Sequence, residues 1–443
     1  MANPEKESVS LLLTAAWVMP LTPGEEIFAP GAVAVRGAKL AAVGPMAEIT
    51  GRFEADRVLD YPQGLILPGL INAHTHAAMA LFRGLADDLP LEEWLNSHIF
   101  PAEKHLDYQF VYWGTRLAVA EMLLSGTTTF CDMYLFTDAV AQAAVDTGIR
   151  AVVGEVLYDF PSPNYGPPEN GLRFTEELCR TYQSHPRVRV AVEPHAVYTC
   201  SPALLEKSKA LADQYHIRWI IHLSETAREV ADCLEHYGDT PVGHLHRLGL
   251  LTGNTVADHA VALTDRDMEL LAASGAGVAH CPESNMKLAS GMAPVANLLA
   301  RGVPVALGTD GCASNNNLDM LTELDTAAKL AKVRELDPTA LPARQALALA
   351  TRSGARVLGL EGETGMLTPG LKADLVVIDL DQPHLTPLYD PYSHLVYAAT
   401  GADVQTVMVE GRILVEDRRL LAFDLAETLR RARELGRKVR KTF

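Results

Sequence analysis

The chain has 443 residues, 48% hydrophobic and 21% charged, a balance that excludes a disordered or fibrous protein and provides for a large core with more than one structural unit. Its formal net charge of −17 argues against nucleic acid or an anionic membrane surface as the main partner. The six cysteines (Cys131, Cys179, Cys200, Cys233, Cys281 and Cys312) are scattered without a CxxC pair, the usage expected of a reduced, cytoplasmic protein.

Residues 1–67 read as short β-pieces punctuated by Gly and Pro. The apolar run SVSLLLTAAWVMPL has Glu5 and Glu7 in its flank and no small-residue cleavage site after it, so it is expected to be a strand rather than a signal peptide. GAVAVRGAKLAAVG reads as a hairpin turning near Gly37, and DRVLDYPQGLILPG as a further β-run. No apolar run is long enough to span a bilayer.

From Pro68 the pattern changes to strand-like runs alternating with longer helical ones. The strand candidates are GLINAH, TTTFCDM, RAVVGEVL, VRVAVEPH, WIIHLSE, NTVADHAV, GAGVAHCP and VPVALGTD, and helical stretches such as DYQFVYWGTRLAVAEMLLSG lie between them. Eight strands, each followed by a helix, predict an α/β fold with a parallel (β/α)8 TIM-like barrel over residues 68–363. Most of these runs are apolar on both faces, as parallel strands under helices must be. Residues 364–443 return to β-patterns, GMLTPGLKADLVVIDL and VQTVMVEGRILVEDRRL reading as two strand pairs, before the amphipathic helix LAETLRRARELGRKVRK. The two β-rich ends are expected to form one small composite sandwich beside the barrel.

The C-terminal ends of barrel strands face the active site, and here they carry one kind of group. The first ends in His74 and His76, the fourth in His195, the fifth in His222 with Glu225 just after it. The sixth ends in His259, the seventh in His280 and the eighth in Asp310. Residues i and i+2 of a strand share a side, so His74 and His76 face one centre. With His222 and Asp310 they make a nitrogen and oxygen donor set suited to one divalent metal, Zn²⁺ first among candidates. A lone histidine is more often a satisfied core residue; a set at successive strand ends is not read that way. A zinc ion brings the ionisation of water toward pH ~7. Asp310 can take the proton, His259 can orient the oxygen, and a carboxylic acid at Glu225 can protonate a ring nitrogen and then a departing amine. The blander reading of Glu225 is a loop acid at a helix start, with Ser224 as N-cap. A bridged pair of metals would call for a lysine on the fourth strand; VRVAVEPH has none, although Glu193 shares a face with His195. His280 is expected behind the ligands, and Cys281 and Cys312 as small buried residues.

The stretches PGLINAHTHAAMALFRGLADDLPLEEWL, FPAEKHL, CDMY, EPHAVYTCS, IHLSET, HCPESNMKLASGMAP, LGTDGCASNNNLDM and KADLVVIDLD carry a family resemblance. The chain resembles the amidohydrolase superfamily and, within it, the 5-methylthioadenosine/S-adenosylhomocysteine deaminases, over nearly its whole length. The resemblance implies one zinc held by His74, His76, His222 and Asp310, ribose hydroxyls held by Glu103, and a nucleoside contact from His195. It further implies that Glu225 protonates N1 of adenine, that His259 assists the water, and that the chain forms a homo-oligomer. The substrates implied are methylthioadenosine and S-adenosylhomocysteine, with adenosine and 5′-deoxyadenosine as further candidates. Read plainly, Glu103 is a first-turn helix acid after Pro101. Trp94 shares a helical face with Leu91, Leu95 and His98 and is expected to pack there, where the family would let it wall the adenine pocket. One departure stands out. Some members carry an arginine that helps bind the 5′ substituent; Glu155 aligns there, and Arg173 in the following loop is the alternative cation.

Two other readings compete. The same scaffold could act on another aminated heterocycle (guanine, a pterin or an s-triazine), releasing an amine or chloride. A non-catalytic assembly subunit is disfavoured because all four ligand positions are filled. The smaller zinc deaminases are excluded, since neither H-x-E nor P-C-x-x-C occurs.

Overall fold

The computed structural model describes residues 6–24 and 26–439, so Glu5 of the first flank and Arg440 and Lys441 of the expected terminal helix lie outside the described residues. The N-terminal segment supplies β1 (Glu7–Val18), β2 (Gly31–Arg36), β3 (Lys39–Pro45) and β4 (Phe53–Pro68). β1 pairs antiparallel with β2 and parallel with β4, so the first apolar run is a strand. The β2–β3 hairpin turns at Gly37, whose φ of +60° suits glycine.

β5 (Leu70–Thr75), β6 (Thr127–Tyr134), β7 (Arg150–Leu157), β8 (Val188–Val190), β9 (Glu193–Pro194), β10 (Trp219–Leu223), β11 (Thr255–His259), β12 (Gly277–His280) and β13 (Val305–Leu307) follow. They correspond to the eight expected runs, VRVAVEPH being split into β8 and β9. Every pairing among them is parallel: β5-β6-β7-β8 with β9 beside β7, and β10-β11-β12-β13. Parallel bridges Val192–Trp219 and Ala196–His222 join the two groups on one side. On the other, the Asp310 N–H donates to the His74 carbonyl at 2.9 Å, bringing the chain after β13 against β5. Gly308 permits that approach: a Cβ there would lie 2.7 Å from the His74 nitrogen. The result is a curled parallel sheet. Every residue of β6 and β7 is buried, the consequence of strands covered on both faces. Helices such as Tyr108–Leu124 and Pro202–Tyr215 lie between successive strands in the chain, the first capped by Asp107 and the second by Ser201.

The C-terminal segment adds β14 (Leu375–Asp379), β15 (Val404–Val409), β16 (Arg412–Glu416) and β17 (Arg419–Leu420). These continue the sheet begun at the other end of the chain, in the order β17-β16-β15-β14-β4-β1-β2-β3. The expected strand pairs differ in detail. GMLTPGLKADLVVIDL forms the single strand β14, because Pro369 and Gly370 (φ +94°) make a turn before it. The second run folds into three strands. The helix Leu425–Val439 closes the described chain, and among the described residues no helix is long and apolar enough to cross a membrane.

Candidate active site

His74, His76 and His222 meet just above the ends of β5 and β10. Their ring centroids lie 4.9 Å (His74–His76), 5.0 Å (His74–His222) and 5.4 Å (His76–His222) apart. Asp310 Oδ1 stands 3.1 Å from His76 Nε2 and 3.6 Å from His74 Nε2. The protons of two of these rings are fixed by their backbone partners. His76 Nδ1 faces the Met133 carbonyl at 2.5 Å and His222 Nδ1 the His195 carbonyl at 2.9 Å. A carbonyl only accepts, so each Nδ1 carries the proton and each Nε2 offers its lone pair to the centre. His74 Nδ1 lies 2.9 Å from a carboxylate oxygen of Asp258, and its buried Nε2 has no hydrogen-bond partner. An orphaned imidazole nitrogen aimed at two further lone pairs and a carboxylate fits a divalent cation. Donor atoms of His74, His76 and Asp310 all lie within 4.8 Å of one another, as do those of His74, His222 and His259.

Burial works against charge on His76, yet the adjoining Asp310 carboxylate pushes its imidazole up to about 9. Burial likewise favours a neutral Asp310, but His76, His259 and His74 hold its carboxyl well below the usual range.

The three strand-end loops are backbone-strained. Ser224 (φ +52°), His259 (φ +69°), Ala260 (φ +48°) and Asp310 (φ +61°) all adopt left-handed conformations, each costing about 1–3 kcal/mol in a non-glycine residue. The strain re-aims side chains. Asp258 and His259 are neighbours on one strand, where alternation would send them to opposite sides. Here Asp258 reaches His74 while the His259 ring sits 5.4 Å from both the His74 and His222 rings. His259 Nδ1 is held by the Asn285 side-chain oxygen at 2.9 Å. Asp310 Oδ2 accepts from the Ser284 (2.6 Å) and Ser314 (2.9 Å) hydroxyls.

Ser224 does not cap the next helix, as the sequence suggested. The cap is Thr226, whose hydroxyl accepts the Glu229 N–H ahead of helix Ala227–Tyr237. The left-handed turn at Ser224 displaces the helix start by two residues. The Glu229 carboxylate instead accepts the N–H groups of Ser224 (3.0 Å) and Glu225 (2.7 Å), and burial pushes its own carboxyl up to about 7. This clamp holds Glu225 over the site, where its carboxylate accepts the Ser290 hydroxyl at 3.3 Å.

Glu225, His259, Asp310, His76 and His222 line one cavity. Glu103 and His195 line it as well, with His74 buried behind it. Burial pushes the Glu103 carboxyl up to about 7, partly offset by the Tyr134 phenol beside it. Burial brings the His195 imidazole down to about 3, and its Nδ1 lies 2.9 Å from the Thr199 hydroxyl. Trp94 is both buried and part of the wall. His280 is buried at the end of β12 and does not line the cavity.

The departure at Glu155 resolves differently from the sequence expectation. Its side chain is fully buried and does not line the cavity. It accepts the Thr137 N–H and an Asn164 amide proton, both at 2.9 Å, tying together the loops after β6 and β7. Arg173 bonds Asn170 on an outer helix and is likewise absent from the cavity wall. Sequence reasoning passed over Asp258, Glu229, Ser284 and Ser314. Only Asp258 left a trace, as an acid inside the apolar run TVADHA.

The sequence profile of the Amidohydrolase family matches residues 65–414. A Syntrophobacter fumaroxidans protein named 5-methylthioadenosine/S-adenosylhomocysteine deaminase is 58% identical over 430 residues, covering 97% of this chain and 98% of its own. Among solved structures, a zinc-bound adenosine deaminase from Xanthomonas campestris superposes with a TM-score of 0.97 at 41% identity, covering 99% of this chain and 100% of its own. A zinc-complexed atrazine chlorohydrolase from Arthrobacter aurescens superposes at 0.89 and 25% identity, over 96% and 100% of the two chains. With a profile match over most of its length and a donor cluster at its strand ends, this chain belongs to the amidohydrolase family.

Proposed function

We propose that this protein is a metal-dependent hydrolytic deaminase of adenosine derivatives, acting on 5′-methylthioadenosine, S-adenosylhomocysteine or both to give the inosine analogue and ammonia. The observation that carries the reading is the placement of the Glu225 carboxyl, His259 and Asp310 in one cavity with the imidazole cluster. His74, His76, His222 and Asp310 would hold one divalent ion, most simply zinc, the ion bound by the similar Xanthomonas protein. That ion supplies Lewis acidity that brings the ionisation of water toward neutral pH.

The chain's own residues do the rest. Asp310 accepts the proton of the attacking water, its second oxygen being held by Ser284 and Ser314. His259, fixed by Asn285, orients that oxygen toward C6 of the purine. Glu225 delivers a proton to N1 as the oxygen adds, and a proton then passes to the departing amine. Glu103 accepts from the ribose hydroxyls and His195 contacts the nucleoside. Trp94 and its apolar neighbours exclude bulk water from the wall.

This reading includes the finer architecture. The curled sheet of residues 68–363 closes as a (β/α)8 barrel, supported by its parallel bridges on one side and the Asp310–His74 backbone bond on the other. The β-pieces of 1–67 and 364–443 form a composite sandwich, supported by a cluster in which Leu13, Val33, Leu375 and Met408 pack together. A homo-oligomer in the cytoplasm is the accompanying proposal; the six free, buried cysteines support a reducing compartment.

A second reading, hydrolysis of an s-triazine or another aminated heterocycle, draws on the likeness to the chlorohydrolase. Glu225 favours loss of an amine, because chloride departs without a proton. Zinc-loaded protein should release ammonia from methylthioadenosine, S-adenosylhomocysteine, adenosine or 5′-deoxyadenosine and no chloride from a chlorinated s-triazine. Chloride release without ammonia from any nucleoside would replace the first reading with the second.

A further inference from the structure

Beyond the reacting end, the cavity is aromatic. Phe100 lies one helical turn before Glu103, in the short helix Phe100–Glu103. Its ring centroid is 6.4 Å from that of His195 and 6.1 Å from that of Phe160. Tyr158 stands 6.2 Å from His195 on another side and stacks on Phe160 at 4.0 Å with the planes 9° apart. Phe100 and Tyr158 therefore flank His195, the residue assigned to the nucleoside, and Phe160 packs on both of them. Phe160 is 37% exposed, an uncovered aromatic where the cavity widens into an open vestibule. Aromatic and apolar side chains are the usual lining of a small-molecule site.

The same region has no uncommitted cation. No lysine or arginine lines the inner cavity among the described residues. The vestibule has two, and both are engaged: Arg228 with Asp232 at 3.0 Å and Lys287 with Asp87 at 2.6 Å. Its other charged walls include Asp88, Glu92 and Glu229. A carboxylate carried into this space would meet rings and acids, and the two cations there already hold Asp232 and Asp87. A thioether methyl would gain apolar burial and sulfur–ring contacts there.

We infer that Phe100, Tyr158 and Phe160 select nucleosides bearing a small apolar group on C5′, a methylthio group above all, over those whose 5′ substituent ends in an amino-acid zwitterion. This rests on the deaminase reading and its placement of the ribose. The test is kcat/KM of the zinc-loaded protein for methylthioadenosine, 5′-deoxyadenosine and S-adenosylhomocysteine, in the wild type and in Phe160→Ala and Phe160→Arg. Methylthioadenosine should exceed S-adenosylhomocysteine by about tenfold or more, the scale set by a few apolar contacts in such a pocket. Phe160→Ala should lower the ratio of methylthioadenosine to 5′-deoxyadenosine by roughly tenfold, mainly through KM, and Phe160→Arg should shift preference toward S-adenosylhomocysteine. Equal or greater activity on S-adenosylhomocysteine, or a substrate ratio that Phe160→Ala leaves unmoved, overturns the inference while the deaminase reading stands. Absence of turnover of all three overturns the deaminase reading and this inference with it.

Discussion

Two carboxylates bear on the proposed chemistry. Glu225 has a catalytic assignment and no place among the donor atoms clustered at the centre. Glu225→Gln should therefore keep bound zinc and lose about 10²–10⁴ in kcat, the range for a positioned general acid. Zinc analysis alongside turnover checks it, and loss of metal together with rate would make Glu225 a ligand instead. Asp258 acts one step back. It is fully buried with an oxygen 2.9 Å from His74 Nδ1, where a carboxylate would favour the tautomer that leaves Nε2 free for a cation. Asp258→Asn keeps the size and removes the charge; competition against a chelator should show zinc binding weakened about 10–100-fold. Unchanged affinity would reduce Asp258 to a packing residue.

At the scale of elements, strand-end loops place every group, and clamps between loops hold them. Glu229 secures the turn after β10, and Glu155 joins the loops after β6 and β7. Burial pushes the Glu155 carboxyl up to about 7 from its ordinary 4.5. The folded protein then holds a proton that the unfolded chain has released, so stability falls as pH rises from about 4.5 to about 7 and levels off above. The span corresponds to at most about 3 kcal/mol. Denaturant unfolding from pH 5 to pH 8 should show this decline, to which Glu103 and Glu229 add in the same direction, and Glu155→Gln should make it shallower without abolishing it; parallel curves for the two proteins would assign the pH dependence to other groups.

These clamps also mark how far the sequence could be read. The HxH of β5, the histidine closing β10 and the aspartate after β13 were legible because strand periodicity and strand ends determine where such side chains point. Asp258 was not. Plain alternation sends it away from His259, and only the left-handed turn at His259 and Ala260, invisible in residue types, brings both to the centre. Glu229 left no signal, because its partners are backbone N–H groups of a turn that residue types do not reveal. The parallel strands were clear as apolar runs between helical patterns. The C-terminal strands were miscounted where a Pro-Gly turn replaces an expected strand and a two-residue strand escapes any pattern.

The whole molecule couples its two β-systems through buried charge. Arg150 at the start of β7 is 1% exposed, and its Nε lies 2.9 Å from an oxygen of Asp374, the residue before β14. Glu410, after β15, stands 3.8 Å from the same guanidinium and also pairs with Arg187 at 3.2 Å. Removing one partner strands a buried charge, so Arg150→Met should destabilise the protein by about 3–5 kcal/mol, read as a shift in the unfolding midpoint. A variant as stable as the wild type would mean that these carboxylates find other partners.

In the proposed reaction the strand-end groups replace the amino group of an adenosine derivative with an oxygen from water. This is tested most directly by the mass of the product formed from methylthioadenosine by the zinc-loaded protein in ¹⁸O-labelled water. The product should be a methylthioinosine carrying heavy oxygen on the purine, with ammonia released in equal amount. A product without the label, or no conversion of the nucleoside by protein with its zinc in place, would contradict it.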